Sequence, residues 1–307
     1  MEREQRRRQR ELERQRKEAE WLTELARAEL EVAEYENYIE LLQTLHKECS
    51  ESVDWEKIEA DPPAKPVSSS QFAELAEAEL KNYKPSFFDR ILRRTEKKVH
   101  QLEKQILEAS EKDREAFTLA EQGYKEKILE WKLAKGVLKK EKSKMQSAFK
   151  LFPSAFSELE GLGSRVELSV LSRDSVQVNL YVRTSDIVPK EKKSLLKSGK
   201  LSTRPLPLSI RNQVYQDYVC SASLRVVREV LAIVPVAAVL LTVYCKLLNT
   251  KTGHLEDQPI LSSLLPRQTM ETLNFEMLDP SDAFENFTHQ VNFKKLGGFS
   301  PITPIKI

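Results

Sequence analysis

Glycine is scarce in this chain, with eight in 307 residues. Phosphate-cradling loops need clustered glycines, and no Walker A, GxGxxG or GxSxG pattern occurs. HExxH and EF-hand patterns are missing too. Cysteine is scarcer still. Cys49, Cys220 and Cys245 are three, an odd number with no CxxC pair. That excludes a disulfide framework and a cysteine zinc site, and it fits a reducing compartment. Net charge is only +2, so no global basic field points to nucleic acid. The N-terminus is Arg/Glu-rich and lacks the apolar core of a secretory signal. No apolar run reaches spanning length. The longest candidate, Val230–Cys245, has 16 residues with Pro235 inside it, short of the roughly 20 a spanning helix needs. It reads as the end of a buried helix, a break at Pro235, and a buried strand. These absences predict a protein with no membrane span and no cofactor.

What is present divides in two. Residues 1–150 hold 63 charged side chains, and residues 151–307 hold 33. The first half is a polyampholyte, and the second has an ordinary globular composition. Residues 1–49 contain neither proline nor glycine. Trp21, Leu22, Leu25, Val32, Tyr35, Ile39, Leu42 and Leu45 fall at helical spacing, which predicts one long helix with an apolar stripe. Residues 60–70 (ADPPAKPVSSS) interrupt it with three prolines and three serines, a linker composition. Ser69 or Ser70 is placed to cap the next helix, Gln71–Tyr83.

The strongest periodicity follows. Phe88, Leu92, Thr95, Val99, Leu102, Ile106, Ala109, Asp113, Ala116 and Ala120 recur at alternating steps of four and three, a heptad seam. Asp113 interrupts it, and the phase shifts after Gly123. A continuous helix is favoured over a turn there, since one glycine costs only about 1 kcal/mol. A sustained apolar stripe on a charged helix must be buried against another helix, from this chain or from another copy.

Pro153 closes the helical region. VELSVL and SVQVNLYV alternate around Ser172-Arg173-Asp174 as a hairpin. Residues 189–204 form a basic loop or edge. Leu208–Val234 reads as a helix, Val236–Leu247 as a strand and Ile260–Leu265 as its partner. Arg267–Phe275 is a short helix. Asp279-Pro280 predicts a last helix over Pro280–Val291. The fold class is α+β: long N-terminal coiled-coil helices, then a compact domain of order β-β-α-β-β-α-α. The expected segments are a charged helix (1–59), a linker (60–70), a coiled-coil region (71–152), the C-terminal domain (153–300) and a tail (301–307).

Candidate chemistry is thin. A metal or general-base site on the C-terminal domain draws on Glu229, His254, Glu256 and Asp257, with His289 as the partner brought by the last helix. A nuclease core needs an acid on one strand and acid-x-Lys on the next. The second strand here reads Asp257-Gln258-Pro259 and lacks the lysine. Phosphate contacts draw on Lys132, Lys135, Lys139 and Lys140, and on Lys192 and Lys193.

Several stretches resemble an uncharacterised bacterial family in which a coiled-coil middle precedes a C-terminal domain. They are NYKPSFFDR (82–90), VPKEKKSLLKSGKLS (188–202), YQDYVCSASLRVVREVLAIVP (215–235), LNTKTGHLEDQPILSSLLPR (248–267) and LNFEMLDPSDAFENF (273–287). YENYIELLQTLHKECSESVDWEKI (35–58) fits as well. Longer members begin with a small Gly/Ser-rich β domain. The resemblance implies a bacterial cytoplasmic protein and one continuous architecture, and it carries over no catalytic residue. The expected function is non-catalytic: self-association through the coiled coil, with the C-terminal domain recognising a protein partner. The alternatives are a divergent metal-dependent nuclease or hydrolase, and a sequence-blind nucleic-acid binder.

Overall fold

A computed structural model describes residues 2–84 and 95–306, without the side chains of residues 2–12. Phe88 and Leu92 of the expected seam lie outside the described residues. The chain forms two compact units, Met1–Val53 with Lys140–Ile307, and Asp54–Lys139.

The first unit is built around a five-stranded sheet. Its strands are β1 (Arg165–Val170), β2 (Ser175–Val182), β5 (Ala238–Asn249), β6 (His254–Pro266) and β7 (Thr288–Val291), in the order β1-β2-β5-β6-β7. β2 and β5 run parallel, and the other neighbours are antiparallel. Between β2 and β5 the chain forms a separate hairpin, β3 (Glu191–Leu195) with β4 (Leu201–Pro205), and then the central helix. That helix, Leu208–Ile233, is numbered α7 below. One face packs on β2 and β5. The other packs on α1 (Glu2–Thr44). Covered on both sides, it buries Val214, Tyr218, Leu224, Val226, Val227 and Val230, which is why its sequence carries apolar residues nearly all round. Pro235 ends it as expected. Arg267 then satisfies the open carbonyls. Its Nη2 donates to Leu231 O and Val234 O at 2.8 Å, and its Nε to Val236 O at 2.9 Å. Among the described residues no helix is long and apolar enough to cross a membrane.

On α1 the C-terminal part of the stripe faces α7, the part around Leu25 and Ala28 faces the β3–β4 hairpin, and Trp21 and Leu22 remain exposed. Ala28, Val32 and Leu42 are buried, and so are Leu45 and His46 of the single turn Leu45–Lys47. Two short helices, α5 (Lys142–Ala148) and α6 (Ser157–Gly161), lead into β1. The side chain of Gln146 on α5 bonds Leu168 O and Val170 N–H, capping part of the sheet's β1 edge.

Two expectations need correction. The last helix does not form. Asp279 does cap, its Oδ1 accepting from the Ser281 and Asp282 N–H groups at 2.8 and 3.1 Å. The cap opens only a 3-10 turn, Asp282–Asn286. Phe284 and Phe287, three apart, are both buried there. Residues 288–291 then pair with the free edge of β6, whose backbone groups offer what a further helical turn would have supplied. The basic stretch 189–204, expected as a loop or edge, is the β3–β4 hairpin, a two-stranded pair separate from the main sheet. The strand and helix order therefore differs from β-β-α-β-β-α-α, while the coarser α+β class and the long N-terminal helix stand.

The second unit is helical: α2 (Trp55–Ala60), α3 (Gln71–Asn82) and α4 (Thr95–Leu138). α4 runs unbroken through Gly123 for 44 residues, about 65 Å at 1.5 Å per residue. It stops at Leu138, earlier than the expected 152, and Lys140 adopts a left-handed φ of 56°. α3 packs antiparallel along the α4 seam. Ala73, Ala76 and Leu80 face partly covered Val99, Ile106 and Ala109 and buried Leu102. Ala116 and Ala120, expected in the seam, are exposed. Asp113 is no defect. Its carboxylate accepts from the Phe72 and Ala73 N–H groups at 3.2 and 2.9 Å, capping α3 from 40 residues away. Asp113→Ala is expected to lower stability by about 1 kcal/mol, read as a shifted urea midpoint at unchanged slope.

Candidate functional site

The expected catalytic residues do not converge. His289 lies on β7 opposite Ser263, and His254 begins β6 nine residues away. That separation is about 30 Å at 3.3 Å per residue. The two histidines share no site, because the helix that was to bring His289 over is a strand. His289 Nδ1 instead contacts Phe287 O at 3.0 Å.

Glu256 sits at the base of the β5–β6 turn. Its carboxylate accepts from Asn249 Nδ2 at 2.7 Å and Thr252 Oγ1 at 2.5 Å. These bonds hold its pKa below the usual range. Asp257 is the register partner of Lys246. Both acids serve the hairpin, and among the described residues no three His, Cys, Asp or Glu side chains gather as a metal site.

Glu229 belongs to a different structure. It is fully buried on α7, one turn from Arg225. Oε1 is 2.9 Å from Arg225 Nε and accepts the Ser50 N–H at 2.9 Å. Arg225 also reaches Glu48 and Glu158 at 4.0 Å. Arg228, one turn further round, donates to the carbonyls of His46, Lys47 and Glu48 and lies over the Phe275 ring, 4.1 Å from its centroid. Together Glu229 and Arg228 fasten the strap Leu45–Val53 onto α7, and Val53 N–H closes it on Ala232 O at 2.9 Å. A carboxylate spent this way is a structural ion pair, although i,i+4 spacing alone left the role open.

His46, at the end of the α1 stripe, is 1% exposed. Its backbone N–H donates to Ser221 Oγ at 3.0 Å, and Nδ1 lies 2.8 Å from the same oxygen. Ser221 is fully buried, so the pair holds the strap and presents no nucleophile. Its sequence offered one signal, the position of His46 next to the last apolar residue of the α1 stripe. Burial pushes the His46 pKa below its ordinary 6.5. Lys47 and Arg228 add to that, while the Phe275 carbonyl and Asp279 oppose it. The unfolded chain therefore takes up a proton near 6.5 before the folded chain does. The stability from neutral His46 is complete above that pH and is lost as pH falls toward the depressed folded value. Thermal melts between pH 7 and 6 are expected to show a falling midpoint, and His46→Asn is expected to flatten that slope.

The lysines are partly occupied. In the helical unit, Lys135 lies 4.3 Å from the Trp131 ring centroid and 3.9 Å from Glu59, while Trp131 Nε1 donates to Glu59 O. Lys132 is exposed. In the other unit Lys140 pairs with Asp174, and Lys142 Nζ bonds Leu171 O. Lys193 pairs with Glu31 on α1 at 3.0 Å. Lys192 stands on the open face of its hairpin. Sequence reasoning also missed Tyr181 and Tyr244, register partners stacked at 5.0 Å on the sheet face away from α7, with Arg165 over Tyr181.

No protein-family model, curated protein or solved structure matches the chain.

Proposed function

We propose that this chain is a non-catalytic interaction protein that self-associates through its helical unit and presents the C-terminal domain to a protein partner. The observation that carries the reading is apolar surface left over after α3 has packed on α4. α3 covers α4 between Val99 and Asp113, so that stretch of the seam is satisfied within the chain. Leu107 and Leu119 on α4 nevertheless remain 66% and 68% exposed, with Leu129, Phe72 and Leu75 similarly open. These exposed apolar side chains on the helical unit are surface that a second copy can cover. The carboxylates first considered catalytic are bound into a turn and an ion pair, which also favours a role without chemistry.

The test is sedimentation velocity of the chain beside the double variant Leu107→Glu, Leu119→Glu. Neither residue packs inside the unit, so helicity by circular dichroism stays unchanged. The expected outcome is a faster species for the unmodified chain that the variant converts to a single-chain species. Identical sedimentation of the two would overturn this choice of surface. Metal-dependent cleavage of nucleic acid that disappears in Glu256→Ala would overturn the non-catalytic reading.

A further inference from the structure

The β3–β4 hairpin carries charge that folding does not explain. Residues 189–205 hold six cations, Lys190, Lys192, Lys193, Lys197, Lys200 and Arg204, against Glu191 alone. Only Lys193 is drawn into an ion pair among the described residues, by Glu31 on α1. Lys192 and Arg204 are register partners. Two like charges directly opposite on an antiparallel pair destabilise it. Side chains alternate between faces along a strand. Lys193 points to α1, so Lys192 and its partner Arg204 stand on the opposite, open face. A repulsive pair kept on an exposed face makes sense when an anion lies across it.

The tip of the hairpin, Leu196-Lys197-Ser198-Gly199-Lys200, is polar except at its first residue, where an exposed leucine stands in a place that turns normally give to polar residues. Leu196 N–H bonds Lys200 O and Gly199 N–H bonds Leu196 O, both at 2.9 Å. Gly199 has φ +76°, and a Cβ there would come within 2.9 Å of Leu25 and 3.5 Å of the Trp21 ring. The turn therefore abuts α1 at Leu25 and Trp21, and Leu22, the residue after Trp21, is exposed. Leu196 is 44% exposed and Trp21 45%. Glu24 and Glu31 line the groove between the two elements, and Glu31 is already neutralised. The result is a small apolar wedge with Lys197 and Lys200 at its rim and Lys192 and Arg204 behind it.

We propose that this wedge docks on the surface of a bilayer bearing anionic headgroups. Leu196, Trp21 and Leu22 enter the interfacial layer, where tryptophan rings are favoured. Lys192, Lys197, Lys200 and Arg204 meet the headgroup phosphates. The charge selects an anionic partner. The exposed Leu196 and Leu22 select lipid over nucleic acid, because a phosphate backbone gives leucines nothing to bury against, whereas apolar burial plus charge is how peripheral elements hold a membrane surface. The contact is peripheral and involves no spanning segment.

The experiment is flotation of the full chain with two vesicle types, phosphatidylcholine alone and equal parts phosphatidylcholine and phosphatidylglycerol. Binding is expected only to the second, weakening about tenfold or more as salt rises and screens the headgroup charge. The triple variant Lys192→Glu, Lys197→Glu, Lys200→Glu is expected to abolish it. Leu196→Ser with Leu22→Ser keeps every charge and is expected to reduce binding about tenfold, in line with lost apolar burial. All substituted positions are exposed, and an unchanged thermal melt verifies the fold. Absence of flotation with either vesicle would overturn the proposal, as would equal flotation with both. Binding to a DNA oligonucleotide that the leucine variant leaves intact, without vesicle binding, would assign the surface to nucleic acid instead.

Discussion

Glu229→Ala is expected to destabilise the protein by about 3–5 kcal/mol, the cost of leaving a buried charge without its partner. Arg225 keeps only the two distant carboxylates of Glu48 and Glu158, each at 4.0 Å. The Ser50 N–H loses its acceptor as well, which pulls on the strap. Glu229→Gln keeps an acceptor for Ser50 but not the charge, so a smaller loss is expected. Replacing both members, Arg225→Leu with Glu229→Leu, is expected to cost less than Glu229→Ala alone, since apolar residues of similar volume often replace a buried pair at little penalty. Urea unfolding of Arg225→Leu, Glu229→Leu and the double closes the cycle. Additive losses would mean that the two side chains act separately. A loss under 1 kcal/mol for Glu229→Ala would remove the ion pair from any structural role.

Deleting residues 2–53 is expected to have a still larger effect, exceeding the usual margin of about 5–15 kcal/mol for a whole domain. α1 and the strap cover the face of α7 that the sheet leaves open. Without them Tyr218, Ser221 and Val214 face solvent along with much of that helix. Amide hydrogen exchange in β5 reads the outcome, because β5 is the central strand and exchanges only on global opening. Loss of its protection is expected, whereas full protection would mean that α1 is an appendage. The single substitution Leu42→Ala gives a finer reading. Leu42 is completely buried on α1, and truncation there is expected to cost about 2–5 kcal/mol.

These effects bear on what a sequence can and cannot reveal. Local chemistry was legible. The break at Pro235, the β1–β2 hairpin, α4 through Gly123 and the cap at Asp279 all follow from residues within a few positions of one another. Pairings across long separations were not. Residues 288–291 contain Thr288 and Val291, which suit a strand, but the decisive factor is the free edge of β6. Asp113 reads as a flaw in a heptad until α3 arrives to be capped by it. The docking of α1 and the strap Leu45–Val53 onto α7 joins segments some 170 positions apart, as in the His46–Ser221 contact. The candidate site failed for a related reason. His254, Glu256 and Asp257 are polar residues beside a turn, the same composition a turn needs for its own hydrogen bonds. Glu229 and Arg225 stand at the i,i+4 spacing of an ordinary helix pair, and only their burial reveals how much depends on them.

Self-association through the helical unit is the central claim, and multi-angle light scattering on the full chain over a wide concentration range tests it most directly. The expected result is a defined multiple of the 35.4 kDa chain mass that persists on dilution to low micromolar levels. A single-chain mass at every concentration would contradict it and would leave Leu107 and Leu119 exposed without a partner copy.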